Sequence, residues 1–435
     1  MASPDLLPLV SADTLDDCIA HYRGRSISVA QFIATADDFS RSLPSASYAI
    51  NLAENRYHFL LGWIAACLRN QVTLLPSAQA AGVLEDLARE YPDHHVVDDD
   101  AVAQFLERSQ VLPASETPSH WRIEATRIVA IAFTSGTTAA PQPHPKTWRS
   151  LVRNSQLAAQ EVLGGRRMNV VATVPPQHMY GLENSLVSAL SAQCRLYDGK
   201  PFFPADVRAA LESVPAPRTL VTTPAHLKIL VEAGIGLPPL QRIVSATAPL
   251  AIDLAARVEQ AWGAPVMEIY GCTEAGVMAH RRTTQTERWQ AFDGSSVVTL
   301  EGVATYRAPQ LPEPIPLQDV IESYSDTEFA LRGRVGDMIK VAGKRASLQD
   351  ITRQILAVPG VVDAVVFAPQ PDARPAALVV APGIDAAQVL STLRERIEQV
   401  FVPRPLIVVD HLPRNAVGKL PHATLLQLLD QHRHA

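Results

Sequence analysis

Ile128-Val129-Ala130-Ile131-Ala132-Phe133 runs directly into Thr134-Ser135-Gly136-Thr137-Thr138. Six consecutive apolar residues, several of them β-branched, fit a strand buried on both faces, and the hydroxyl-rich stretch with its glycine stops it. The same short, β-rich grammar recurs at 169–174, 219–222, 242–245 and 266–269. Helical patterns lie between such runs, at 150–163 and 251–262. In 81–91, Val83, Leu84, Leu87, Ala88 and Tyr91 fall on one helical face. Strands alternating with helices predict an α/β fold whose sheets are buried and largely parallel.

The grammar changes after about residue 300. Pro309, Pro312, Pro314 and Pro316 rule against helix and favour extended chain. Beyond Gly336 a smaller unit begins. Ser347 to Asp350 reads as a helix start that runs to Pro359-Gly360, and strands follow at 361–368 and 376–381. A helix at 386–400, a strand at 405–409 and a last helix at 422–432 complete an α+β unit. The expected organisation is a large multi-sheet α/β domain over 1–335 and a small mobile domain over 336–435.

The chain has 435 residues, 47% of them hydrophobic and 19% charged, which excludes disorder for most of its length. A net charge of −6 argues against a basic surface that holds nucleic acid non-specifically, while leaving room for a local cationic patch. Cys18, Cys67, Cys194 and Cys272 are far apart, so a disulfide framework or cysteine zinc site is not expected and a reducing compartment fits. The longest apolar stretch, Phe59 to Leu68, is ten residues. A membrane span needs about 20. With no basic, signal-like start at Met1, the expectation is a cytoplasmic protein without a membrane span.

Several loops carry polar groups suited to chemistry. Residues 134–138 could present N–H groups and hydroxyls to phosphate oxygens, or could be an ordinary polar turn. They are no Walker loop, since Pro141 stands where its second glycine should be. Tyr270-Gly271-Cys272-Thr273-Glu274 follows the strand at 266–269. Its glycine permits close approach of a ligand, its threonine can bond phosphate and its carboxylate can hold Mg²⁺; the bland reading is a turn with a surface glutamate. Asp319, Gly333-Arg334, Gly343-Lys344-Arg345 and Leu412 to Lys419 complete the set, each of them bland alone.

In this order the segments resemble the ANL superfamily of adenylate-forming enzymes: acyl- and aryl-CoA synthetases, adenylation domains and luciferases. The resemblance spans about residues 25 to 425. Asn51 to Pro76 also looks like the family's early helix and strand. Asp319 and Arg334 are fifteen positions apart, and Arg334 and Arg345 eleven, as in acyl-CoA synthetases. The resemblance implies that Thr134, Ser135, Gly136, Thr137 and Thr138 grip the ATP β- and γ-phosphates, and that Ser245, Ala246 and Thr247 line the adenine. It implies Tyr270 and Gly271 beside that base, Thr273 at the α-phosphate and Glu274 on Mg²⁺. Asp319 would accept the ribose hydroxyls, and Arg334 would help to hold the nucleotide. Lys419 would bridge carboxylate and α-phosphate, offsetting the repulsion of two anions. Gly343 and Arg345 fall on the thiol-acceptor side, and Gly336 at the interdomain hinge, unless it is a plain turn glycine. His178, in Pro175 to Gly181, resembles the histidine beside the acyl pocket, with a packed loop histidine as the alternative.

The chain departs from the family after its phosphate loop. Ala139 and Ala140 replace the usual glycine region, and Gln142 takes the usual lysine place, leaving Lys146 as the candidate replacement. The large domain is also shorter than usual. A compact chain with Gln142 to Trp148 in this form looks like the AMP-ligases of aryl polyene and xanthomonadin pigment pathways. The reading is therefore ATP-dependent activation of an aromatic or aliphatic carboxylic acid. Transfer follows to CoA or to the phosphopantetheine of an acyl carrier protein. The rivals are a general acyl- or aryl-CoA synthetase and a non-catalytic ligand-binding homologue.

Overall fold

The computed structural model describes residues 5–134, 142–300, 303–334, 338–341, 344–370, 374–395, 397–414 and 420–433. They fall into two compact units, one of Met1–Ser295 with Ala308–Glu313, the other of Ser296–Arg307 with Pro314–Ala435.

The strands of the first unit are, in chain order, β1 (Leu6–Pro8), β2 (Cys18–Tyr22), β3 (Arg25–Ser28), β4 (Tyr48–Asn51), β5 (Val72–Leu75), β6 (His94–Val97), β7 (Arg122–Glu124), β8 (Ile128–Thr134), β9 (Gln142–Thr147), β10 (Asn169–Ala172), β11 (Arg195–Tyr197), β12 (Arg218–Thr222), β13 (Arg242–Ser245), β14 (Val266–Cys272), β15 (Gly276–Arg282) and β16 (Trp289–Ala291). One sheet has the order β6–β4–β5–β8–β9; the other runs β16–β15–β14–β13–β12–β10–β11–β2–β3. Both are parallel at the centre. The first ends antiparallel at β9, and the second at β14–β15–β16 and at β2–β3. The expected α/β class and its parallel cores are present.

Burial explains the central runs. Val129, Ala130, Ile131, Ala132 and Phe133 of β8 are all buried, so both faces of the strand are covered. The helix Arg56–Leu68 is buried along almost its whole length, which its nearly unbroken apolar sequence allows. The Asn55 side chain caps it, accepting from Tyr57 N and His58 N, a contact worth about 1 kcal/mol. At its first turn Arg56 is wholly buried, donating to the carbonyls of Val174 and Gly199, at the ends of β10 and β11. The helix Trp148–Glu161 starts at Thr147, whose side chain accepts from Ser150 N. Its Trp148 packs edge-on to Trp63 at 6.0 Å.

In the second unit β17 (Ser296–Leu300), β18 (Val303–Arg307) and β19 (Ile315–Pro316) form an antiparallel sheet. β20 (Asp319–Ser323) and β21 (Glu328–Arg334) make a hairpin, as do β22 (Met338–Val341) and β23 (Lys344–Ser347). A last sheet has β24 (Asp363–Phe367), β25 (Ala376–Val380) and β26 (Leu406–Val408). Successive β25 side chains serve opposite faces. Ala377 and Val379 join a core with Ile351 and Ile355 of helix Leu348–Leu356 and Val389 and Leu393 of helix Ala386–Arg394. Ala376, Leu378 and Val380 join Leu425 and Leu429 of helix His422–Arg433.

The helix expected over 386–400 ends at Arg394 instead. Phe401 and Val402 are both buried, and two adjacent buried residues flanked by a 3-10 turn at Gln399–Phe401 break the one-sided helical spacing. Among the described residues no helix is long and apolar enough to cross a membrane. All four cysteines are free.

Candidate active site

β9 brings the departure after the phosphate loop into the site. Among the described residues it pairs only with β8, matching Phe133 with Pro143 and Ile131 with Pro145. An edge strand tolerates proline because only one side of it needs donors. Alternation then sends Gln142, His144 and Lys146 to one face. His144 Nε2 lies 3.0 Å from Thr134 Oγ1 and 3.9 Å from Glu274 Oε1. Burial lowers the His144 pKa, opposed by Glu274 and reinforced by Lys146. Lys146 is buried at 4% exposure, and its Nζ donates to the Glu274 carbonyl at 2.7 Å. Burial lowers its pKa too, opposed by Glu183, Cys272 and Glu274.

The segment that holds Thr273 and Glu274 is the tight link between β14 and β15, where Cys272 faces Gly276 and Gly271 faces Val277. A Cβ on Gly271 would stand 2.4 Å from the Gly276 carbonyl, so this register needs glycine there. The link rests on a buried polar network that sequence reasoning missed. Glu183 is 1% exposed, in the π-helical segment Leu182–Val187. Its Oε1 accepts from Asn154 Nδ2 at 2.9 Å, and its Oε2 from Val277 N at 3.0 Å. Asn154 Nδ2 also donates to the Ala275 carbonyl at 2.9 Å, and Gln310 Nε2 donates to Asn154 Oδ1 at 2.8 Å. Burial pushes the Glu183 carboxyl up to about 7, opposed by Asn154, Lys146 and Val277 N–H. The available signal was a glutamate flanked by Leu182 and by Leu186-Val187, since such acids are rarely buried unless paired.

The expected adenine segment leaves the end of β13. Ser245 and Ala246 are buried, and Thr247 has φ 79°. Ser245 Oγ is buried with no hydrogen-bond partner among the described residues. Below it, Glu268 accepts from Leu250 N, Arg281 and Thr283, tying the segment's end to β14 and β15. Tyr270 lies 5.6 Å from the Trp289 ring. His178 precedes the short helix Met179–Gly181. Two residues on, the Tyr180 hydroxyl sits 3.1 Å from the Thr222 carbonyl and 2.9 Å from the Val244 carbonyl, at the ends of β12 and β13. These groups therefore gather at the carboxyl ends of parallel strands, the usual ligand crevice of an open α/β sheet.

In the second unit Asp319 and Arg334 are register partners across the β20–β21 hairpin, so their sequence spacing is the spacing of a strand pair. Arg345 lies on β23, opposite Lys340. Ser135, Gly136, Thr137, Thr138, Gly336, Gly343 and Lys419 lie outside the described residues.

The donor set suits a hard cation that keeps most of its shell. The Glu274 side chain is 44% exposed, and Thr273 precedes it in the turn. Among the described residues no three His, Cys, Asp or Glu side chains converge into a metal cage. A single carboxylate with phosphate oxygens and waters completing the shell is how Mg²⁺ is usually held. The orphan Ser245 hydroxyl likewise fits a polar ligand atom.

Comparison with known proteins agrees with this geometry. The family model described as AMP-binding enzyme matches residues 38–300, and the one described as AMP-binding enzyme C-terminal domain matches 351–419. A 4-coumarate–CoA ligase of Halorhodospira halophila is 28% identical over 307 residues, covering 66% of this chain and 73% of that protein. A 4-chlorobenzoate–CoA ligase of an Arthrobacter species is 22% identical over 378 residues, covering 76% and 72%. The crystal structure of ATP-bound MatB from Rhodopseudomonas palustris has the same fold, with TM-score 0.80 at 19% identity over 97% of both chains. On these matches, and on a fold that gathers its polar turns at one crevice, the chain belongs to the AMP-binding enzyme family and is an AMP-forming acid–thiol ligase of the ANL superfamily.

Proposed function

We propose that this ligase activates an aromatic or fatty acid and loads it onto the phosphopantetheine thiol of an acyl carrier protein, in biosynthesis of the aryl polyene or xanthomonadin type. The observation that carries the adenylation site is the convergence of Thr134, His144 and Lys146 on the Glu274 turn. It joins the phosphate-loop strand to the nucleotide turn. Thr134 and residues 135–138 grip the β- and γ-phosphates, and Ser245, Ala246 and Thr247 flank the adenine. Tyr270 and Gly271 lie beside that base, and Thr273 contacts the α-phosphate. Mg²⁺ on Glu274 supplies neutralising charge to the phosphates. Asp319 takes the ribose and Arg334 the nucleotide, while His178 borders the acyl pocket.

Lys419 reaches the carboxylate during the first half-reaction. A pivot at Gly336, between domains 1–335 and 336–435, then exchanges it for the face bearing Gly343 and Arg345, where the thiol enters. The compact chain and its Gln142 to Trp148 segment support the carrier-protein reading. Relatives named as CoA ligases favour CoA as the second acceptor reading. The test is acid-dependent exchange of labelled pyrophosphate into ATP over a panel of aromatic and aliphatic acids. Thioester formation with CoA and with a holo carrier protein follows. Exchange with no acid rejects adenylation, and transfer to CoA alone rejects the carrier protein.

A further inference from the structure

An ionisable acid buried to 1% exposure among Leu182, Leu186 and Val187 carries a desolvation cost of several kcal/mol unless it is paired. Glu183 is paired on both oxygens, and each bond leads to the same place. Oε2 receives the Val277 N–H, one residue beyond the Cys272–Gly276 link. Oε1 receives Asn154 Nδ2, which also donates to the Ala275 carbonyl, beside Glu274. Gln310, itself buried, holds the other end of Asn154. Ser155 Oγ donates to the Glu183 carbonyl at 3.0 Å, fixing the acid's backbone as well.

Two further observations show that the acid and the turn are built against each other. Gly276 has φ 79°, and a Cβ there would lie 2.3 Å from both Asn154 Nδ2 and Glu183 Oε1. Glu183 also sits in a π-helical segment, an irregularity that frequently marks functional sites. The charged group acting on Glu183 is Lys146 of β9, which also acts on His144 of β9 and on Cys272 and Glu274 of the turn. Lys146 reaches the Glu274 carbonyl, so the turn is held by Lys146 as well as by the Glu183–Asn154 pair.

We propose that Glu183 is a positioning residue for nucleotide activation, setting through Asn154 and Val277 N–H the turn that presents Thr273 and Glu274. This rests on the adenylation reading of that turn. Residues that orient a metal ligand from behind typically matter about 10–100-fold. The role predicts a defect in the step that uses Mg²⁺ and the α-phosphate, and little change in acid binding.

The test compares wild type with Glu183→Gln, which keeps the shape and one acceptor but loses the charge and an acceptor for Asn154. Pyrophosphate exchange in Glu183→Gln should show kcat lowered about 10-fold or more. The Mg²⁺ concentration for half-maximal rate should rise, with KM for the acid within about 2-fold. Glu183→Asp, which keeps the charge, should recover part of kcat. Wild-type kcat and Mg²⁺ titration in folded Glu183→Gln overturn the proposal, as does equal weakening towards acid and Mg²⁺. Should Glu183→Gln fail to fold, Asn154→Ala takes its place in the same assay, and wild-type kcat and Mg²⁺ titration there overturn the proposal equally. If wild type exchanges with no acid, the adenylation reading has failed by itself. MgATP binding by calorimetry then decides positioning: equal Kd in both proteins overturns it, and weaker binding in Glu183→Gln sustains it.

Discussion

Lys146 and Glu183 both bear on one turn, and the cation offsets part of the cost of burying the acid. Removing the cation should therefore do more than remove a phosphate contact. Lys146→Ala should raise KM for MgATP about 10-fold and lower the melting temperature, because the Glu274 carbonyl loses its donor and Glu183 its nearby cation. Gln142→Ala, on an exposed residue, should do little. The reverse ranking would place the phosphate contact at Gln142. Glu183 also gives stability a pH dependence. Its carboxyl rises from 4.5 to about 7 on folding, so the folded chain holds a proton that the unfolded chain releases. That contribution is complete below about pH 4.5 and is lost as pH climbs through about 7. Urea denaturation should show wild type losing about 2–3 kcal/mol between pH 5 and pH 8 relative to Glu183→Gln. A constant difference would put the pair's titration elsewhere. The turn that carries Thr273 and Glu274 was legible in the sequence because a glycine after an apolar strand marks it. Glu183 was not, because its partners Asn154, Val277 and Gln310 are far from it along the chain and no local spacing predicts their meeting.

Among elements, the central strands and the helices over them declared themselves through buried runs and 3.6-residue periodicity. Edges did not. Gln142 to Thr147 carries Pro143 and Pro145, yet it is β9, because an edge strand hydrogen-bonds on one side only. β15 was equally obscure, since a glycine start and His280-Arg281-Arg282 at its end hide an otherwise buried strand. The link from β14 to β15 is where these edges matter. Gly276→Ala combines a positive φ with contacts of 2.3 Å, so it should destabilise the fold by about 1–3 kcal/mol. Its adenylation rate should fall with it. A fully stable, fully active Gly276→Ala would show that the link can be remade without the Asn154–Glu183 platform.

At the scale of the molecule, the proposed reading divides the reaction into two half-reactions, and each can be measured alone. Lys419→Ala should slow adenylation about 10²–10³-fold, or about 3–4 kcal/mol, while thioester formation from supplied acyl-AMP survives. Equal loss in both halves would remove Lys419 from the first transition state. Gly336→Pro, with φ held near −65°, should keep pyrophosphate exchange and lose most thioester formation. Wild-type rates in both would dismiss the pivot. The change in composition near residue 300 was readable in the sequence; the interleaving of 296–307 with 308–313 was not, because it depends on which proline-rich stretch packs where. One last consequence belongs to Arg56. Its guanidinium, carried on the helix between β4 and β5, grips carbonyls at the ends of β10 and β11 in the other sheet. Neither sheet can open without parting that buried cation from its acceptors. Amide protons of the two sheets should therefore exchange with deuterium at a common, slow rate, so that half the crevice never melts while the other half stands.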